Sequence, residues 1–92
     1  MDTESVSYIL RSKNRQKILE LLKENQKTPA QLVKDTDMYR THIHRTIREL
    51  KSKKLIEETN PKDKIYKFYK TSQKGKIVLK DVEKIKKDIF EK

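Results

Sequence analysis

The stretch "TPAQL", residues 28–32, constrains the fold more than any other. Thr28 and Gln31 have the T-x-x-Q spacing of a capping box, in which each side chain satisfies the other residue's backbone amide. Pro29 falls at the first helical position, where its missing N–H is no loss. The spacing predicts a short helix over about 29–36 that buries Leu32 and Val33. No glycine follows it, so Asp37 is the residue best suited to the left-handed turn that must end it.

The next stretch, "DMYRTHIHRTIREL", carries Ile43, Ile47 and Leu50 at i, i+4 and i+7. That is one narrow apolar stripe, and it predicts a helix over about 39–52. Advancing about 100° per residue, Thr41, Arg45, Arg48 and Ser52 face away from the stripe, with His42 and His44 on opposite flanks. Tyr39 is a poor cap, so the start of this helix lies open between Asp37 and Tyr39.

Upstream, Asp2 or Thr3 caps a helix holding Val6, Ile9 and Leu10. Ser12 begins a second, with Ile18, Leu19, Leu21 and Leu22, which ends near Asn25. Downstream, "KLIEET" and "KIYKFYKT" flank "NPKD" and predict a β-hairpin over about 57–70 with a five-residue tip. Tyr66, Phe68 and Tyr69 favour core or subunit contact over base stacking, and both strand faces carry aromatics. Ser72 caps a last helix over 73–90. Two helices joined by a tight turn and followed by a hairpin make a mostly α, α+β winged helix-turn-helix. The chain is expected to be one domain over 1–92, with its core at about 11–72 and a C-terminal helix at 73–92.

In that last helix Val78, Val82, Ile85 and Ile89 step by 4, 3 and 4, a seam of the coiled-coil kind. It either lies on its own domain or pairs with a second chain. Pairing is the favoured expectation, with Val6, Ile9 and Leu10 joining the interface, and a homodimer follows.

Charge narrows the partners. The chain has 24 Lys and Arg against 14 Asp and Glu, a net charge of +10, and a pI near 9.8. Between Tyr39 and Lys54 there are six Lys or Arg against one Glu, about half of the whole excess. Such a run is either a solvated basic face or a helix made for the major groove, where Arg donates two hydrogen bonds to guanine and Thr offers methyl or hydroxyl. The capped helix before it and the hairpin after it favour double-stranded DNA. There is no cysteine, and histidines at i and i+2 diverge by about 200°, so neither a metal nor another cofactor is expected. Without a glycine loop, a Ser-His-Asp arrangement or carboxylates paired in an apolar setting, an enzyme is not expected either. No apolar run approaches the ~18 residues of a membrane span. The acidic, polar start is unlike a signal peptide, so a cytoplasmic, nucleoid-associated protein is expected. A small-molecule effector would find room only at a subunit interface.

The segment "RQKILELLKENQKTPAQLVKDTDMYRTHIHRTIRELKSKKLIEE", followed by "YKTSQKGK", resembles the winged helix-turn-helix transcription regulators of the MarR and ArsR type, especially small archaeal ones. The likeness spans about residues 8–80, with Asp37 where Gly is frequent and Thr71 where Leu is common. It implies that Arg40, Thr41, His42, His44, Arg45 and Arg48 read bases. It also implies that Lys62 and Lys64 at the wing tip touch phosphate or the minor groove, and that Thr28 and Gln31 meet backbone phosphate. The implied biology is transcriptional control by a homodimer on a palindromic operator. Two other functions fit the same charge: an architectural DNA binder without sequence preference, and a winged helix that docks on an acidic protein.

Overall fold

In the computed structural model the described residues are 2–62 and 65–90, with the side chain of Phe90 left aside. Five helices and two strands follow in the order α1 (Thr3–Leu10), α2 (Lys13–Glu24), α3 (Pro29–Thr36), α4 (Arg40–Ser52), β1 (Ile56–Glu58), β2 (Tyr69–Thr71) and α5 (Gln73–Phe90). This is the expected winged helix-turn-helix, and the local signals act as read. Asp2 accepts from the Ser5 amide at the head of α1, and Ser12 accepts from the Arg15 amide at the head of α2. Thr28 and Gln31 form both halves of the capping box. Asp37 closes α3 in the left-handed region at φ 59°, its N–H donating to Val33 O.

The turn into α4 is three residues long. Thr36 Oγ1 donates to Leu32 O at 2.6 Å and accepts from the Met38 amide at 3.2 Å, which fixes the exit direction. Tyr39 is the N-cap in extended conformation, so α4 begins at Arg40 rather than earlier.

The far end of α4 is built on a residue that the sequence did not flag. Lys54 has φ 62°. Leu55 N–H donates to Leu50 O at 3.0 Å and Lys54 N–H to Lys51 O at 2.9 Å, the paired bonds of a Schellman motif, with Leu50 and Leu55 both fully buried as its apolar contact. A lysine thus holds the position glycine usually takes.

The hairpin is shorter than expected. Its ladder is Ile56↔Thr71, Glu57↔Lys70 and Glu58↔Tyr69, extended by Thr59 N–H donating to Phe68 O. Asn60 then replaces a strand: its Nδ2 donates to Tyr66 O at 2.7 Å and its Oδ1 accepts from Phe68 N at 3.0 Å. The five-residue tip gives way to a longer connection because Pro61 follows Asn60 and cannot donate to a ladder. On the other edge of β2, Tyr69 exchanges both backbone bonds with Lys27 at 3.0 and 2.9 Å, so the α2–α3 loop adds one residue to the sheet. Tyr69 and Thr71 face inward, Phe68 is half-buried and Tyr66 is exposed, so only part of the expected aromatic core forms. Thr71 is buried as a polar residue because its hydroxyl donates to Leu19 O at 2.7 Å.

One core unites all five helices. Ile18, Leu19, Leu22, Leu32, Ile43, Leu50, Leu55 and Leu79 are at most 1% exposed. The seam of α5 is corrected here. Val78 and Val82 are buried in the chain's own core, as are Val6 and Ile9 of α1, so these four side chains are not a surface for a second chain. Leu10 and Ile85 pack partly against the same core, and only Ile89 of the seam stands exposed. The reason is Leu79. With Gly75, Val78 and Val82 it makes a stripe at i, i+3, i+4 and i+7, wider than a seam and suited to packing against a domain.

Gly75 lets α5 approach: a Cβ there would stand 2.2 Å from Leu55 O and 2.6 Å from Thr71 Cγ2. On an open helix Gly→Ala gains about 1 kcal/mol. Here the sign reverses, and Gly75→Ala should lose about 1–2 kcal/mol net from overpacking against backbone. Lys54→Gly should gain about 0.5–1 kcal/mol by relieving the left-handed strain. Chemical denaturation of the two variants checks both signs.

Asp2 also reaches α5, its Oδ2 lying 3.0 Å from Lys74 Nζ. Bonds from the Ser5 hydroxyl and amide, and then from Lys74, hold its carboxyl down to about 2, below the ordinary 3.8. A depressed carboxyl stabilises the fold above its unfolded value and loses that contribution as pH falls through the folded one. Asp2→Asn keeps a capping side chain but cannot titrate, so its melting temperature should fall less than the wild type's between pH 4 and pH 2.

Candidate nucleic-acid interface

α4 buries Ile43, Thr46, Ile47 and Leu50 and turns the rest of its circumference outward. Arg40, Thr41, His44, Arg45 and Arg48 are exposed and His42 is half-buried. The structure therefore brings five of the six expected base readers to open surface on one helix and leaves His42 at its margin.

The charges of this segment divide into held and unheld. Lys51 meets Glu58 at 2.6 Å, Lys53 meets Glu4 at 3.7 Å, and Arg45 Nε lies 4.0 Å from Glu49 Oε1. The Lys51 contact is a hydrogen bond that pushes the lysine up and the Glu58 carboxyl down from their ordinary values. Arg40, Arg48 and Lys54 have no carboxylate partner among the described residues. Glu49, the one acid of α4, is held from three sides: Tyr8 donates its hydroxyl to it, Arg15 lies 3.9 Å away, and Arg45 approaches its other oxygen.

Backbone amides add to the cations, and they do so unequally. At the head of α3 the capping box occupies the amides of Thr28 and Gln31, and Pro29 has none, which leaves Ala30. The head of α4 has no side-chain cap, so the amides of Arg40, Thr41 and His42 point outward unsatisfied by the helix. The anion-seeking helix start is thus that of α4, while Thr28 and Gln31 are largely engaged with each other.

Between these two helix starts and the wing runs an open groove of about 590 Å³, lined by Thr28, Pro29, Ala30, Arg40, His44, Ile65, Tyr66, Lys67 and Tyr69. It unites Thr28, Arg40 and His44 with wing residues that sequence reasoning did not select: Lys67, Tyr66 and Ile65, the last two 63% and 82% exposed. Tyr39, 85% exposed at the head of α4, was missed too. Tyr66 carries an aromatic signal and Lys67 a charge, whereas for Ile65 and Tyr39 the signal is position alone, next to a recognised helix start or wing. Lys62 is exposed on the wing outside this groove, and Lys64 lies outside the described residues. No group of three or more metal-ligating side chains occurs among the described residues, and no helix there is long and apolar enough to cross a membrane.

The model of the family described as the HVO_A0261 N-terminal domain matches residues 3–91. No curated protein sequence gives a match. Among solved structures, the homodimeric winged helix-turn-helix DNA-binding domain of Mb0332 from Mycobacterium bovis, a possible ArsR-family regulator, superposes with a TM-score of 0.77 at 19% identity, covering 96% of this chain and 81% of that one. MarR from E. coli in its apo form gives 0.74 at 22%, covering 88% and 62%. ZitR from Lactococcus lactis in complex with DNA gives 0.68 at 19%, covering 77% and 49%. The chain thus spans about half to four-fifths of the length of these structures, and at such identities the likeness is one of fold.

Arg40 and Arg48 make no ion pair or side-chain hydrogen bond among the described residues, whereas the capping box holds the head of α3. Arg48→Ala should change stability by less than about 0.5 kcal/mol. Thr28→Ala should lose about 1 kcal/mol. Thermal melts of the two variants side by side test the division.

Proposed function

We infer that this chain, which belongs to the family of the HVO_A0261 N-terminal domain, is a sequence-specific regulator of transcription that binds double-stranded DNA as a homodimer. The observation that carries the reading is the outward face of α4. Arg40, Thr41, His44, Arg45 and Arg48 share one open surface, beside three uncapped amides and a cationic wing, on a chain of net charge +10. α4 enters the major groove. Arg45 and Arg48, with Thr41 and His44, meet base edges, and Arg40 with the α4 amides and Lys67 meets the phosphates that border the groove. Lys62 and Lys64 serve the backbone or minor groove from the wing.

The dimer reading is supported by the homodimeric Mb0332 domain and by the apolar residues α5 still shows, Ile77 at 52% and Ile89 at 63% exposure. Pairing through Ile89, with Ile85 and Leu10 at its border, would set two copies of α4 about 34–36 Å apart on successive major grooves. The same reading implies a cytoplasmic, nucleoid-associated protein. An effector, if one acts, belongs at that interface.

Selection from a random duplex pool is the test. The expected product is a palindrome, bound with an affinity that falls steeply with salt. Arg48→Ala should lose about tenfold to a hundredfold on the selected site and relax its preference at one position. Lys62→Ala should weaken selected and random duplexes alike. Ile89→Glu should convert a sedimenting dimer to monomer. A flat footprint with no selected sequence favours the architectural binder, and the lack of any salt-sensitive duplex binding favours a protein-docking module.

A further inference from the structure

Glu49 is the only acid on α4, and its two oxygens have different neighbours. Oε2 accepts the Tyr8 hydroxyl and lies 3.9 Å from Arg15, while Oε1 faces Arg45 Nε at 4.0 Å. Tyr8 belongs to α1, 41 residues away in sequence, and is only 7% exposed. Its ring is fixed by two cations, the Arg15 guanidinium 3.8 Å and the Lys53 ammonium 4.7 Å from its centroid, and Arg15 also donates to Tyr8 O at 2.9 Å. Burial, and then the bond to Glu49, push the Tyr8 phenol up to about 12, so it remains a donor across the working pH range. A carboxylate clamped at one oxygen has one orientation left for the other. The Arg45 side chain, 68% exposed, has this carboxylate oxygen as its one ion-pair neighbour among the described residues.

We propose that Tyr8 is a positioning residue for DNA recognition: by fixing Glu49 it sets where the Arg45 guanidinium stands on the outer face of α4. This rests on α4 being the DNA-reading helix. Without the phenol hydroxyl, Glu49 is free to turn both oxygens onto Arg45 and draw the guanidinium off the bases. α1 packs on α2 and α5, which holds Tyr8 in place beside α4.

Tyr8→Phe tests the idea, since it keeps the ring and both cation contacts and removes only the donor. Affinity for the selected operator and for a random duplex would be measured for wild type, Tyr8→Phe, Arg45→Ala and the double variant. Tyr8→Phe should weaken operator binding about threefold to tenfold, weaken random duplex less, and add nothing once Arg45 is alanine. The Arg45 Nε–H resonance of the free protein should move in Tyr8→Phe. An unmoved resonance, an operator affinity equal to wild type, or losses that multiply independently in the double variant would each overturn this proposal alone. A wild type that binds no duplex overturns it together with the DNA reading.

Discussion

Leu55 is where α4, the sheet and α5 are fastened to one another. Its N–H closes α4 on Leu50 O, its carbonyl accepts from Ser72 N at 3.0 Å, and its side chain is fully buried. Beside it Ser72 Oγ donates to Lys54 O at 2.7 Å and accepts from the Gly75 amide, so the residue that caps α5 also holds the end of α4. Leu55 O and Lys54 O would lose these partners if Ser72 and the head of α5 moved away. The direction of α4 is therefore fixed at its C-terminal end by main-chain bonds, and along its length by Ile43, Ile47 and Leu50.

Charge has the opposite role. The ion pairs here are exposed or half-exposed, and pairs of that kind contribute little to stability. Their effect is to assign positions. Glu58, Glu4 and Glu49 engage cations at the sides of α4, and Arg40, Arg48 and Lys54 keep theirs unengaged among the described residues. About half of the chain's +10 excess falls between Tyr39 and Lys54, where the proposed partner would lie, while the apolar interior is left to hold the fold together.

What could be read from sequence was set by short-range chemistry. The caps at Asp2, Ser12, Thr28 and Ser72, the left-handed Asp37 and the Ile43 stripe all depend on residues within a few positions of each other, and each stands as read. The outward arginines followed from that stripe by angle alone. The misreadings concern partners far apart in the chain. The 4-3-4 steps of α5 pass over Leu79, and the surface that buries Val78 and Val82 comes from distant segments with no local signature in α5. Lys54 gave no signal, since nothing in its side chain favours the left-handed region and tertiary packing imposes it. Tyr8 and Glu49 meet across 41 residues, a distance no local pattern spans.

The smallness of the sheet has its own effect on how the molecule behaves at high concentration. β2 is covered on one side by β1 and on the other, at Tyr69, by Lys27, so the outer side of β1 is the long free border. That border is three residues long and carries Glu57 and Glu58, each drawn to a lysine. A strand so brief and so charged offers a poor template for cross-chain β-pairing and fibril growth.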